Sequence, residues 1–275
     1  MRRISWALAH LIIACLCVPG QALDRFIVLA STTSTEQSGL FEYLLPIFKT
    51  ETGIDVRVVA VGTGQALKLG ERGDADALLV HDRSGEEDLV ARGHALDRQD
   101  VMFNDFVVIG PNRDPAMIGG LKDVKEAFQR IVDSKATFVS RGDDSGTHRM
   151  ELRLWRTLPF DVKAAGGSWY KELGAGMGPS LNTAAGLGAY LIADRATWAN
   201  FKNRQDLAVL AEGDKLLFNP YSSLLVNPAK GAHIRAADAA VWHRWLTSAS
   251  GQRAIAGFKI AGEQLFFPSR MAPSR

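Results

Sequence analysis

Short apolar runs alternate with helix-like segments along the first hundred residues, and that alternation confines the chain to sheets covered by helices. Phe26-Ile27-Val28-Leu29-Ala30 has the composition of a buried strand. A polar stretch and a helix-like segment over residues 40–49 follow, and Gly53 ends that helix. Residues 54–61 read as a second strand, Gly62-Thr63-Gly64 as a turn into a helix through Ala66, Leu67 and Leu69, and residues 76–80 as a third strand. A parallel or mixed sheet of this kind carries its functional loops at the carboxyl ends of its strands.

A new series begins after the strand 106–111, which stops at a turn. It comprises a strand at 136–140, a helix from about 146 to 155 and a helix from about 184 to 199. The apolar runs 215–218 and 224–226 carry the chain back, and a long helix from about 232 to 248 packs on the first unit. The fold class is therefore α/β, two-lobed, each lobe a central sheet flanked by helices. Lobe 1 takes residues 23–106 and 215–275, lobe 2 takes residues 107–214, and two hinge crossings join them, a layout suited to closure around a ligand.

The amino terminus has the form of a secretory signal peptide over residues 1–22: Met1-Arg2-Arg3, an apolar run to Val18, then Pro19-Gly20-Gln21-Ala22. The run is interrupted by His10 and is shorter than the roughly 20 residues of a spanning helix, which favours export to the periplasm over anchoring. Ile12-Ile13-Ala14-Cys15 leaves a lipoprotein anchored through Cys15 as an alternative. Both cysteines, Cys15 and Cys17, lie in this leader. Cleavage after Ala22 leaves a chain with no disulfide, no thiolate metal site and no cysteine nucleophile. Of 32 basic residues two, Arg2 and Arg3, lie in the leader, so 30 acids meet 30 bases in the rest. A balanced charge with no long basic run argues against nucleic acid as a partner.

Three loops carry candidate chemistry. Ser31-Thr32-Thr33-Ser34-Thr35 sets five hydroxyls between a strand and a helix, more than capping requires. Hydroxyls and free N–H groups at a helix start suit an anion. Gly62-Thr63-Gly64 repeats the arrangement, although a tight turn alone would explain its glycines. Ser140-Arg141-Gly142-Asp143-Asp144-Ser145-Gly146-Thr147-His148 is the most informative segment. Ser145, Gly146 and Thr147 offer donors at a helix start with Arg141 folded over them as a cationic fork, and Asp143 or Asp144 is expected to cap the helix. A serine hydrolase built on Asp143, Ser145 and His148 is the competing reading. It is disfavoured because neighbours in one turn point on diverging faces and Ser145 is not in a nucleophile elbow. No metal site is expected, since His81, His94, His148, His233 and His243 have no ligand spacing.

These segments, together with Gly73-Asp74-Ala75-Asp76-Ala77-Leu78-Leu79-Val80-His81 and Gly176-Met177-Gly178 before Leu181-Asn182, resemble the periplasmic tungstate-binding proteins of ABC transporters. The likeness spans nearly the whole mature chain. Ser31 stands where that family begins its hydroxyl motif with threonine. The resemblance implies a monomeric receptor, with no cofactor, no metal and no turnover, that holds an oxyanion between its lobes and delivers it to a membrane permease. Its ligand residues would be Ser31, Thr32, Thr33, Ser34, Thr63, Arg141, Ser145, Gly146, Thr147 and Asn182. A pocket of donors alone suits tungstate, molybdate or sulfate, which carry only acceptor oxygens near neutral pH, whereas phosphate keeps a proton and wants an acceptor. Asp82 after the third strand is the residue that would favour phosphate, and it is expected to face solvent or a neighbouring base.

Overall fold

The structure, a computed structural model, describes residues 25–270, so the leader and Cys15 lie outside the described residues. Strand Phe26–Thr32 is the heart of the first sheet. It pairs in parallel with Asp55–Val61 on one side and with Ala77–Val80 on the other. Ala77–Val80 is buried along its whole length and pairs antiparallel with Phe218–Val226 on its far side. Helix Leu40–Thr52 buries Leu40, Phe41, Leu44 and Phe48 on one face and stops at Gly53, whose φ of 71° a side chain would oppose. Phe48 meets Trp242 and Trp245 edge-on at 5.0 and 5.3 Å, fastening the carboxyl-terminal helices to this sheet.

Strand Ala95–Pro111 joins the lobes. Residues 95–105 pair with Phe218–Val226, and from Phe106 onward the partners become Leu191–Asp194 and Leu207–Ala211. The strand expected at 106–111 is thus only its second half. The first half, Ala95 to Asp105, is rich in Asp, Arg, Gln and Asn and lacks the apolar continuity that marks a strand in sequence. Its pairing with Phe218–Val226, the return crossing, places Asn104 opposite Asn219 in register. A separate core fills the second lobe, with Phe128, Phe138 and Trp155 packed at ring separations of 4.3 to 5.7 Å.

One expected helix divides. The helix expected at 184–199 is helix Met177–Leu187, strand Leu191–Asp194 and helix Arg195–Asn200. Gly188 ends the first piece at φ 56°, and Asp194 caps the second by accepting from the Thr197 amide at 2.9 Å. The run Ala189-Tyr190-Leu191-Ile192-Ala193 is apolar enough to read either way, and pairing with residues 106–109 decides for the strand. The last long helix is Ala236–Thr247, followed by Ala249–Gly257 after a break at Ser248, whose hydroxyl accepts from the Gly251 amide at 3.1 Å.

Candidate functional site

The loops singled out by sequence come together at the carboxyl ends of the first-lobe strands. Thr32 closes strand Phe26–Thr32 and caps the short helix Thr33–Gln37, its Oγ1 accepting from the Thr35 amide at 3.3 Å. The Oγ1 atom also lies 3.1 Å from Ser34 Oγ, 2.7 Å from Thr35 Oγ1 and 3.4 Å from His81 Nε2. Thr32, Ser34 and Thr35 are buried, so three hydroxyls and an imidazole crowd into one dry corner.

From the second lobe comes the turn between strand Phe138–Ser140 and helix Gly146–Trp155. Gly142 and Asp144 adopt φ of 60° and 56°, which folds the turn back on itself. The cap of the helix is Ser145, whose Oγ accepts from the His148 amide at 3.2 Å. Neither Asp143 nor Asp144 caps it, contrary to expectation, because the left-handed turn aims both carboxylates at arginines. Asp143 Oδ2 takes Arg141 Nε and Nη2 at 3.2 and 2.6 Å, and Asp144 takes both nitrogens of the Arg149 fork at 2.8 and 2.9 Å.

Arg141 is only 2% exposed. Its Nη2 also reaches Thr33 Oγ1 at 3.5 Å, while Nη1 has no hydrogen-bond partner among the described residues. Thr147 Oγ1, in the first turn of the adjoining helix, is likewise buried and unpartnered. A buried cationic N–H and a buried hydroxyl with no acceptor are costly unless an anion takes them.

The lobes touch around this corner. Gly146 N–H donates to Thr63 Oγ1 at 2.7 Å, and Gly64 N–H points at Asp144 O at 3.4 Å. A side chain at position 146 would strike His81 at 2.6 Å, so glycine is required by close approach of the two lobes. Asp82 is buried and pairs across the cleft with Arg149 Nη1 and, at 3.5 Å, with Arg153 Nη1. Of the two expected arrangements it adopts the one beside a base.

Thr32, Thr33, Ser34, Thr63, Arg141, Ser145, Gly146 and Thr147 therefore share one region. Ser31 borders it, but its hydroxyl donates to Leu79 O at 2.6 Å and serves the sheet. Asn182 is not brought in. It is exposed, donates to Gly178 O at 3.2 Å and accepts from Asn203 at 2.8 Å, because its helix turns that position to solvent. The hydrolase arrangement does not form either, since His148 Nδ1 accepts the Asp144 amide at 3.0 Å and Ser145 Oγ serves as a cap.

Thr35, the fifth hydroxyl of the run but outside the expected ligand set, belongs to the hydroxyl cluster. Two further groups, His81 and Asp194, were not among the expected ligand residues. His81 stacks on Tyr221 with ring centroids 4.7 Å apart and places Nδ1 3.0 Å from Asn219 Oδ1. Burial depresses its pKa to about 4, a contact with Asn219 opposes this and nearby Arg141 adds to it, so the ring is neutral at physiological pH. Asp194 is buried with Oδ2 unpartnered, and burial raises its pKa while hydrogen bonds from Thr197 and the charge of Arg141 oppose the rise. Only the residue Val80-His81 stretch hinted at His81, and nothing in the sequence pointed to Asp194, whose importance depends on the strand it ends.

Among the described residues no group of three or more His, Cys, Asp or Glu could hold a metal ion, and no helix is long and apolar enough to cross a membrane. Residues 18–250 match the model of the PBP superfamily domain. A tungstate-binding protein, TupA, of Peptoclostridium acidaminophilum is 44% identical over 247 residues, 88% of this chain and 85% of that protein. Among solved structures, the tungstate-binding protein TupA of Desulfovibrio alaskensis G20 is 42% identical at a TM-score of 0.76, covering 89% of this chain and 99% of its own. That of the tungstate ABC transporter of Geobacter sulfurreducens is 44% identical at a TM-score of 0.78, covering 85% and 98%. The chain thus belongs to the PBP superfamily and, within it, to the family of the TupA tungstate-binding proteins.

Proposed function

We propose that this protein is a periplasmic receptor that captures tungstate in the cleft between its lobes and delivers it, as a monomer and without chemical turnover, to an ABC permease. The observation that carries this reading is that Arg141 Nη1 and Thr147 Oγ1, on one turn and the helix it opens, are both buried donors without acceptors among the described residues. The ligand contacts would be Arg141, Thr147, the Ser34 and Thr35 hydroxyls, Thr32 and Thr33, with the Gly146 amide and Thr63 closing the lobes. Lobe 1 would comprise residues 23–106 and 215–275 and lobe 2 residues 107–214, a division supported by the change of strand partners between Asp105 and Phe106.

Asp82 counts for a fully deprotonated anion over phosphate. Its carboxylate is engaged by two arginines and is not free to accept a proton from a ligand. Asp143 is likewise committed to Arg141. Molybdate, matching tungstate in charge and nearly in size, is the second ligand that this pocket would hold. A tungstate titration followed by tryptophan fluorescence tests the proposal, since Trp198 is the neighbour of Thr197, whose hydroxyl donates to Ser34 O at 3.2 Å in the hydroxyl corner. A saturable response at micromolar tungstate is expected, and no response together with unchanged melting temperature would refute it.

A further inference from the structure

A buried chain of polar side chains runs from the hydroxyl corner to both hinge crossings. Thr32 Oγ1 lies 3.4 Å from His81 Nε2, His81 Nδ1 lies 3.0 Å from the Asn219 amide, and Asn219 lies 2.6 Å from the Asn104 amide and 3.3 Å from Tyr221 OH. Asn104 and Asn219 stand opposite one another on the two crossing strands. All four of Thr32, His81, Asn104 and Asn219 are at most 4% exposed, so water does not arbitrate the direction of their protons.

Two directions are open, because the two ends of a side-chain amide occupy the same space. In one, His81 Nδ1–H donates to Asn219 Oδ1 and Asn219 Nδ2 donates to Asn104 Oδ1. This leaves the Asn104 amide nitrogen buried with no partner and His81 Nε2 as a bare lone pair that draws the Thr32 proton to itself. With both amides reversed, Asn104 donates to Asn219, Asn219 donates to His81 Nδ1, and Nε2 carries the proton. An unpaired buried carbonyl then replaces an unpaired buried N–H, the rarer and costlier of the two. Thr32 Oγ1 accepts from His81 and from the Thr35 amide, so its lone pairs are filled, its own proton goes to Thr35 Oγ1 at 2.7 Å, and the protons of Ser34 and Thr35 are left to turn outward.

We infer that His81 is a specificity-determining positioning residue, a neutral imidazole protonated on Nε2 that donates to Thr32 and so makes the hydroxyl corner a surface of donors only. Such a corner satisfies an oxyanion with no proton and offers nothing to the proton of hydrogen phosphate. This inference rests on the oxyanion reading of the site. Arg141, Asp82 and Arg153 are the charged groups whose fields reach the ring, and Tyr221 covers one face of it.

The test is a long-range proton–nitrogen NMR correlation on protein labelled at histidine nitrogen, recorded with and without sodium tungstate. It reports directly which ring nitrogen of His81 is protonated. Nε2–H with tungstate bound is expected; Nδ1–H in that state overturns the inference. In calorimetry, His81→Leu should weaken tungstate binding by about tenfold to a hundredfold and narrow its margin over phosphate, whereas His81→Gln, which can present a nitrogen donor near the Nε2 position, should recover most of the loss. Equal affinities for the Leu variant and the wild type would contradict it. If His81→Leu fails to fold, the NMR result on the wild type still decides. A wild type that ignores tungstate while showing Nε2–H would refute the proposed function and leave the proton direction standing.

Discussion

Replacing Arg141 by alanine removes, among the described residues, the one buried cation that has a free donor in the corner. The loss has two parts. A hydrogen bond to a charged group contributes about 1.5–3 kcal/mol, which for the free Nη1 alone is roughly tenfold to a hundredfold in affinity. The second part comes from Asp143, whose Oδ2 accepts two bonds from Arg141 in the native protein and whose Oδ1 accepts only the Ser145 amide at 3.2 Å. Once the guanidinium is gone, that carboxylate stands unpaired next to a site for a dianion and repels it. Arg141→Ala should therefore weaken tungstate binding by more than the hydrogen bond alone explains. Adding Asp143→Asn in the same chain should restore several-fold. Isothermal calorimetry on the wild type, both single variants and the double variant supplies the cycle, with circular dichroism to verify the fold. A folded Arg141→Ala protein with native affinity would refute the assignment of the site. A double variant no better than Arg141→Ala would refute the role given to Asp143.

Further outcomes follow from other contacts. Gly146→Ala, whose methyl would meet His81 at 2.6 Å and Thr63 at 3.0 Å, should hold the lobes apart, weakening tungstate binding and abolishing the compaction that small-angle scattering of the wild type is expected to show on ligand addition. Asp82→Asn should loosen the cross-cleft pairing with Arg149 and Arg153 and weaken binding a few-fold without admitting phosphate; tight phosphate binding in that variant would show the acid had been excluding it from the pocket. Tungstate affinity should be flat between about pH 6 and 8, since His81 takes up a proton only near pH 4, and an inflection near 6.5 would contradict its burial. Glu151 is buried, and burial raises its pKa from 4.5 to about 7 despite bonds from Trp155 and Tyr170. The folded state thus holds its proton more tightly than the unfolded state, and stability falls as pH rises from about 4.5 through 7. Glu151→Gln, which keeps an acceptor for Trp155 and Tyr170, should be more stable than wild type at pH 8 by up to roughly 3 kcal/mol, the gap closing below pH 4.5; no gap at pH 8 in chemical denaturation would count against it.

The hydroxyl run, Arg141 and the helix start at Gly146 were legible because each element carries its own local signature: a strand, a turn that needs glycine, a capped helix. Helix Gly146–Trp155 begins and ends where the pattern placed it. What stayed hidden depends on contacts between distant segments. The first half of strand Ala95–Pro111 is polar, and only pairing with Phe218–Val226 makes it a strand. Residues 189–193 could serve helix or strand until their partner at 106–109 is known. The role of Asp143 was misread for a similar reason, since capping is a local habit of aspartate, and the left-handed Asp144 turns that carboxylate from the helix to Arg141. His81 gained its place from Asn219, 138 residues away, and Asn182 lost its place because its helix faces solvent.

A corner of hydroxyl, amide and guanidinium donors, with Asp82 and Asp143 committed to arginines, should select a fully deprotonated oxyanion. Competition calorimetry of the purified wild type against tungstate, molybdate, sulfate and phosphate at neutral pH tests it most directly. Tungstate and molybdate should bind much more tightly than phosphate, and phosphate binding as tightly as tungstate would contradict the account.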